Sequence, residues 1–186
     1  MKGLTIFTPT YNRAYCLNQV YQSLISQSNP DFIWLIIDDG STDNTKELVN
    51  SWISENKIDI QYYFQENQGM HGAHNSAYDL IKTELNMCID SDDFVEKIIK
   101  FWTTTSNKNK NIAGIIGLDA YKNGEVIGSK LPRELKETTL ENLYYKHKVP
   151  GDKKLVLKTE VVNKFPRYPI FREERFVPLG ILYVMI

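Results

Sequence analysis

Phe32-Ile33-Trp34-Leu35-Ile36-Ile37-Asp38-Asp39-Gly40-Ser41-Thr42-Asp43 is the stretch from which the rest of the chain is read. Six apolar residues follow one another without polar alternation, the pattern of a strand covered on both faces. The chain then turns abruptly polar, and the next apolar residues, Leu48, Val49, Trp52 and Ile53, recur at helical spacing. Ser41 or Thr42 is the expected N-cap of that helix. A doubly covered strand feeding an amphipathic helix is the unit of a parallel α/β sheet.

The same unit recurs on both sides. Upstream, residues 4–7 read as a buried strand and Thr8-Pro9-Thr10-Tyr11-Asn12-Arg13 as a polar turn. Leu17, Val20, Tyr21, Leu24 and Ile25 then stripe a helix expected to end near Asn29-Pro30. Downstream, residues 58–64 form a third strand, and the loop 65–69 leads into a helix carrying Ala73, Ala77, Leu80 and Ile81. A fourth short apolar run, residues 85–89, delivers Asp90-Ser91-Asp92-Asp93, and Val95, Ile98, Ile99 and Trp102 stripe the helix after it. Four strand–helix units in a row predict an α/β fold with a doubly wound, mostly parallel sheet flanked by helices.

Beyond that the rhythm breaks. Residues 112–118 read as a strand, with Asn123-Gly124 as a hairpin turn to Val126-Ile127. A helix over 140–147, a strand over 154–157 and a short helix over 159–165 complete a small mixed or antiparallel C-terminal part. No linker or internal repeat marks a second domain. One domain over 1–186 is expected, with 1–106 as its ligand-binding half and 107–186 as an incomplete second half.

Bulk properties narrow the function. With 42% hydrophobic and 24% charged residues the composition is that of an ordinary globular protein. A net charge of −1 gives no footprint for nucleic acid. Cys16 and Cys88 form no disulfide framework, so a reduced cytoplasmic protein is the simplest reading. No run approaches the ~20 apolar residues of a spanning helix. The last eight residues, 179–186, hold no polar side chain but that of Tyr183, which predicts a chain cut from something longer.

In a doubly wound sheet, ligands bind beyond the carboxyl ends of the strands. That edge gathers four polar loops: 8–13, 38–43, 67–75 and 90–93. Three carboxylates within four residues at 90–93 need a counter-charge or solvent, so a divalent cation, a polar ligand or an exposed turn is implied. Neither a G-x-G-x-x-G after the first strand nor a P-loop is present. An EF-hand counted from Asp39 fails, with Asn44 where Gly is needed and Asn50 where the bidentate Glu belongs. His71 and His74 lie one helical turn apart without a zinc-spaced partner, leaving phosphate contact or helix capping as roles. No G-x-S-x-G elbow is found.

Taken together, Thr8-Pro9-Thr10-Tyr11-Asn12-Arg13, Asp38-Asp39-Gly40-Ser41-Thr42-Asp43, Asn67-Gln68-Gly69 with Asn75, and Asp90-Ser91-Asp92-Asp93 resemble the successive signatures of the bacterial family 2 glycosyltransferases. The resemblance covers the first half of the chain, in the family's order and spacing. It implies a GT-A fold and an inverting transfer of a sugar from a UDP-sugar to a glycan or lipid-linked acceptor, in polysaccharide biosynthesis. It also implies a metal, Mn²⁺ or Mg²⁺, and a site at the cytoplasmic face of the membrane. By analogy Thr8, Pro9, Thr10 and Tyr11 wall the base pocket, and Asp39 accepts the uracil N3–H. Arg13, Asn67, Gly69 and Asn75 lie toward ribose and diphosphate, with Asp90 and Ser91 at the ribose. Asp92, with Asp90, ligates the metal, and Asp93 binds it through water or orients the loop.

The general base of the family comes late in the domain. Glu173-Glu174-Arg175-Phe176-Val177-Pro178 resembles the approach to it, but Leu179 stands where an acidic residue is expected. Glu174 is the candidate base, with Glu173 beside it. A nucleotide-sugar-binding domain without turnover is the alternative reading. A nucleotidyltransferase would need a Gly-rich, Arg-containing loop after the first strand.

Overall fold

The fold is taken from a computed structural model that describes residues 2–92, 111–118, 125–126, 128–151, 153–171, 173 and 176–186. Six strands form one sheet in the order β3-β2-β1-β4-β6-β5. These are β1 (Leu4–Thr10), β2 (Phe32–Asp38), β3 (Asp59–Phe64), β4 (Leu85–Cys88), β5 (Gly114–Leu118) and β6 (Lys153–Lys158). The first four run parallel, β1 lying between β2 and β4. β6 is antiparallel to both β4 and β5.

Helices cover both faces, as the unbroken apolar strands require. The helices α1 (Ala14–Ile25) and α2 (Thr45–Glu55) lie on one side. Their Leu17, Val20, Tyr21, Leu24, Val49 and Trp52 pack on Leu4, Ile6, Phe32, Trp34 and Ile36. Tyr21 stacks on Trp52 at 4.5 Å, and Trp52 on Trp34 at 5.8 Å. The intervening residues Phe7, Leu35 and Ile37 face the opposite layer, where α3 (Gly69–Leu80) contributes Ala73, Ala77 and Tyr78. The short helices α4 (Thr159–Val162) and α5 (Gly180–Met185) add Val162 and Leu182 to that layer. Removing a side chain such as fully buried Trp34 costs about 3–5 kcal/mol.

Several local expectations are corrected. α1 stops at Ile25, short of Asn29-Pro30, where Ser26 makes the last helical turn. α2 begins at Thr45 with Asn44 as its N-cap, so neither Ser41 nor Thr42 caps it; both instead turn toward the loop after β1. β5 finds its partner in β6. The helix over 140–147 is a π-helical turn, Asn142–Lys146. Asn123-Gly124, Ile127 and the stripe from Val95 to Trp102 lie outside the described residues. The later half of the chain is not appended to the first, because β6 is hydrogen-bonded into the sheet beside β4.

The chain lays β2 and β3 on one side of β1 and then returns to place β4 on the other. Strand order therefore reverses between β1 and β4. A crevice opens at the carboxyl ends of strands flanking such a switch point. Among the described residues no helix is long and apolar enough to cross a membrane.

Candidate functional site

The loops after β1 and β2 are sewn together. Asn12 adopts a left-handed conformation (φ 52°), which Asn tolerates better than most residues. That turn aims its Oδ1 at the next loop, where it accepts hydrogen bonds from the Thr42 and Asp43 amides at 2.7 and 3.3 Å. The Asn12 amide donates to Ser41 Oγ at 2.8 Å. Asp43 answers from the other side, accepting the Ala14 amide at 3.1 Å and the Thr45 hydroxyl at 2.6 Å. Burial raises the Asp43 carboxyl, but the hydrogen bonds from Thr45 and Ala14 outweigh it and hold the group below its usual range. Sequence reading passed over Asn12 as a functional residue; an Asn two positions beyond a strand end was the available signal.

The two adjacent carboxylates after β2 do different work. Asp38 is fully buried, accepting the Ser41 amide at 2.8 Å and the Tyr62 hydroxyl. Burial, then the contact with Asp38, pushes the Tyr62 phenol well up. Asp39 is 4% exposed and caps α3 rather than α2. Its Oδ1 accepts the Gln65 side-chain amide and the Gln68 backbone amide, and its Oδ2 the Gly69 amide, all at 2.8 Å. A carboxylate at the first free amides of a helix is favoured by both hydrogen bonding and the helix dipole. Asn67 Nδ2 closes the same loop on the Asp39 carbonyl at 2.8 Å. Gly40 (φ 87°) lets it pass, since a Cβ there would lie 3.1 Å from the Asn67 amide nitrogen.

Across the crevice the edge is open. Tyr11 is 50% exposed at the end of β1. Asp90 and Asp92 are exposed while Ser91, between them, is buried. Arg13 Nη1 lies 3.6 Å from Asp92 Oδ2 and donates to the Tyr15 hydroxyl at 3.0 Å. The loops of β1, β2 and β4 and the start of α3 thus meet at one edge, bringing Tyr11, Arg13, Asp39, Asn67, Gly69, Asp90, Ser91 and Asp92 to it. Asp93 and Glu174 lie outside the described residues, and Glu173 is exposed.

Other expected site residues make contacts within the fold. Pro9 is buried within β1, and Thr10, also buried, leaves its hydroxyl without a hydrogen-bond partner. The Thr8 hydroxyl, fully buried, accepts the Trp34 indole N–H at 3.0 Å, behind the edge rather than in it. Asn75 exchanges two hydrogen bonds with the Tyr168 backbone, at 2.8 and 2.9 Å, and so ties α3 to the C-terminal segment. His71 and His74 are fully buried, which removes them from phosphate contact and from capping. His74 sits among Phe7, Tyr78 and Tyr168 at 5.1–6.2 Å, its Nδ1 2.9 Å from the Met70 carbonyl oxygen. Burial brings its imidazole down to about 4.

Asp90 and Asp92 are oxygen donors beside an open crevice, a set that suits a hard cation whose remaining positions go to phosphate oxygens and water. Among the described residues no third His, Cys, Asp or Glu joins them.

Comparison with solved structures gives the fold: the sheet and its flanking helices have the GT-A architecture. Staphylococcus aureus TarS aligns over 92% of this chain and 52% of its own, with a TM-score of 0.63 and 21% identity. The mannosyltransferase PcManGT of Pyrobaculum calidifontis aligns over 89% and 47%, with a TM-score of 0.63 and 17% identity. The family description "Glycosyl transferase family 2" matches residues 5–151, and the chain belongs to that family. An uncharacterized glycosyltransferase of Haemophilus influenzae is 34% identical over 51% of this chain and 38% of its own. A putative teichuronic acid biosynthesis glycosyltransferase of Bacillus subtilis, TuaG, is 31% identical over 48% and 36%. The chain thus spans between a third and about half the length of these relatives.

Proposed function

We propose that this chain is the catalytic domain of an inverting, metal-assisted transferase that moves a sugar from a UDP-sugar to a glycan or lipid-linked acceptor. The observation that carries the reading is the convergence of the loops after β1, β2 and β4 on the switch-point edge. Tyr11 offers an exposed aromatic face on which the base stacks. Asp39, held rigidly by α3, reads the base N–H, and a base presenting an acceptor there instead is repelled by the fixed carboxylate. Asp90 takes the ribose hydroxyls, and Arg13 lies toward the diphosphate. Asn67 and Gly69 shape the loop around the donor. Asn75 acts one step back, as a strut.

Asp92, with Asp90, would hold Mn²⁺ or Mg²⁺, which when bound neutralises the departing diphosphate. Support comes from TarS, solved with UDP-GlcNAc, and PcManGT, solved with GDP-Man and Mn²⁺. Glu174 is the proposed base for the acceptor hydroxyl. Residues 1–106 would form the donor half and 107–186 part of the acceptor half.

Calorimetry with UDP and Mn²⁺ tests the site: binding is expected, and Asp92→Ala should weaken it at least tenfold. Equal binding by the variant would remove Asp92 from the metal. Turnover is tested separately with labelled UDP-sugars. Donor binding with neither transfer nor slow hydrolysis would favour a domain that binds without turnover.

A further inference from the structure

We infer that Arg13 and Asp92 form a resting ion pair that exchanges partners when the donor arrives, so that cation and diphosphate each strengthen the binding of the other. The inference rests on the donor site proposed above and concerns how that site is loaded. Arg13 is then a positioning residue for the cation as well as a diphosphate contact.

The pair is built to open. Arg13 Nη1 and Asp92 Oδ2 are 3.6 Å apart, with side chains 42% and 60% exposed. An exposed pair of this kind favours its closed form by about fivefold or less. The backbone beneath it does not move with it. Arg13 follows the stitched Asn12, and its carbonyl accepts the Cys16 and Leu17 amides, each at 3.0 Å. The side chain also rests on Tyr15, whose hydroxyl it meets at 3.0 Å and whose ring centre lies 5.9 Å from its Cζ, a contact that does not depend on Asp92. Arg13 can therefore swing about a fixed base.

Charge accounting gives the coupling. A bare dication approaching Asp92 meets the guanidinium first, and displacing it leaves Arg13 without its anion. Free diphosphate approaching Arg13 leaves Asp92 without its cation. The metal–diphosphate complex supplies both: a cation for Asp92 and a doubly accepting anion that matches the guanidinium fork. Two ion pairs then replace one pair and one solvated complex, and neither protein charge is left alone. Cation and nucleotide are thereby coupled, each raising the other's affinity by the same factor.

The test measures each ligand alone and both together. Mn²⁺ binding is followed by the loss of its free-ion paramagnetic signal, and UDP binding by calorimetry, in the unmodified chain, Arg13→Gln and Asp92→Asn. Arg13→Gln should bind Mn²⁺ alone about two- to fivefold tighter, yet bind UDP with Mn²⁺ at least tenfold more weakly. Asp92→Asn should mirror it, binding UDP alone about two- to fivefold tighter while losing the enhancement by Mn²⁺. A merely structural role would weaken every arm, and thermal unfolding of the variants checks that both remain folded. If either variant leaves the single-ligand affinity unchanged or lower, the exchange is overturned. If the unmodified chain binds UDP in neither the presence nor the absence of Mn²⁺, the donor-site reading itself fails.

Discussion

The two walls of the crevice carry carboxylates in opposite settings. On the β2 side, Asp38 and Asp39 are buried and each accepts hydrogen bonds from fixed donors at about 2.8 Å. On the β4 side, Asp90 and Asp92 stand exposed, and Asp92 is met by one ion pair at 3.6 Å. The first arrangement is preorganised: it pays no ordering cost when a ligand arrives, so it suits selection among bases. The second is adaptable and suits a partner whose charge dominates the geometry. Under the function proposed above, selectivity and cation binding would fall to separate strands.

The contrast can be broken at its stiffest point first. Asp39→Ala leaves the Gln68 and Gly69 amides and the Gln65 side chain without their acceptor, and should cost about 3 kcal/mol in denaturant unfolding. A loss below about 1 kcal/mol would mean that α3 does not depend on this cap.

Acid should act from beneath the same wall. His74 titrates near 4 when folded and near 6.5 when unfolded, so between these values the unfolded chain takes up a proton that the folded one refuses. Its contribution is intact above pH 6.5 and is lost as pH falls toward 4, by up to about 3 kcal/mol. His74→Gln should flatten that part of the stability–pH curve.

The stitch between the loops is weaker. Asn12→Ala keeps a left-handed backbone without the side-chain bonds and should cost about 2 kcal/mol, whereas Asn12→Gly relieves the backbone and should cost less. Smallest of all, Asp92→Ala should shift stability by less than about 0.5 kcal/mol while impairing metal-dependent UDP binding. If that variant unfolds as easily as Asp39→Ala, the distinction between the walls is lost.

What could be read from the chain alone follows from how local each feature is. The run from Phe32 to Ile37 announces its own burial, and position after strands is enough to make Tyr11, Asp39 and Asp92 candidates. The partner of Asp39 does not announce itself, because α3 starts 30 residues later and only the folded sheet brings its amides near. Thr8 is placed at the base pocket by the resemblance alone, and the sequence does not show that strand alternation turns its hydroxyl toward Trp34. Asn75 looked like a ligand because it lies in the right loop, yet its partner, Tyr168, is 93 residues away. The place of β6 between β4 and β5 depends on antiparallel pairing across sequence gaps that hydrophobic periodicity does not encode.

That placement of β6 also bears on how the protein emerges from the ribosome. Asn86, on β4, is anchored by Thr159, 73 residues further along the chain. At about 5–20 residues per second, the outer edge of β4 waits roughly 4–15 s for its neighbour to be made. During that interval the nascent sheet presents an unpaired edge to any other strand in reach. β4 is only 4 residues long, so the template it offers to a stray partner is small, and a short strand at this position guards the birth of the protein as well as shaping its crevice.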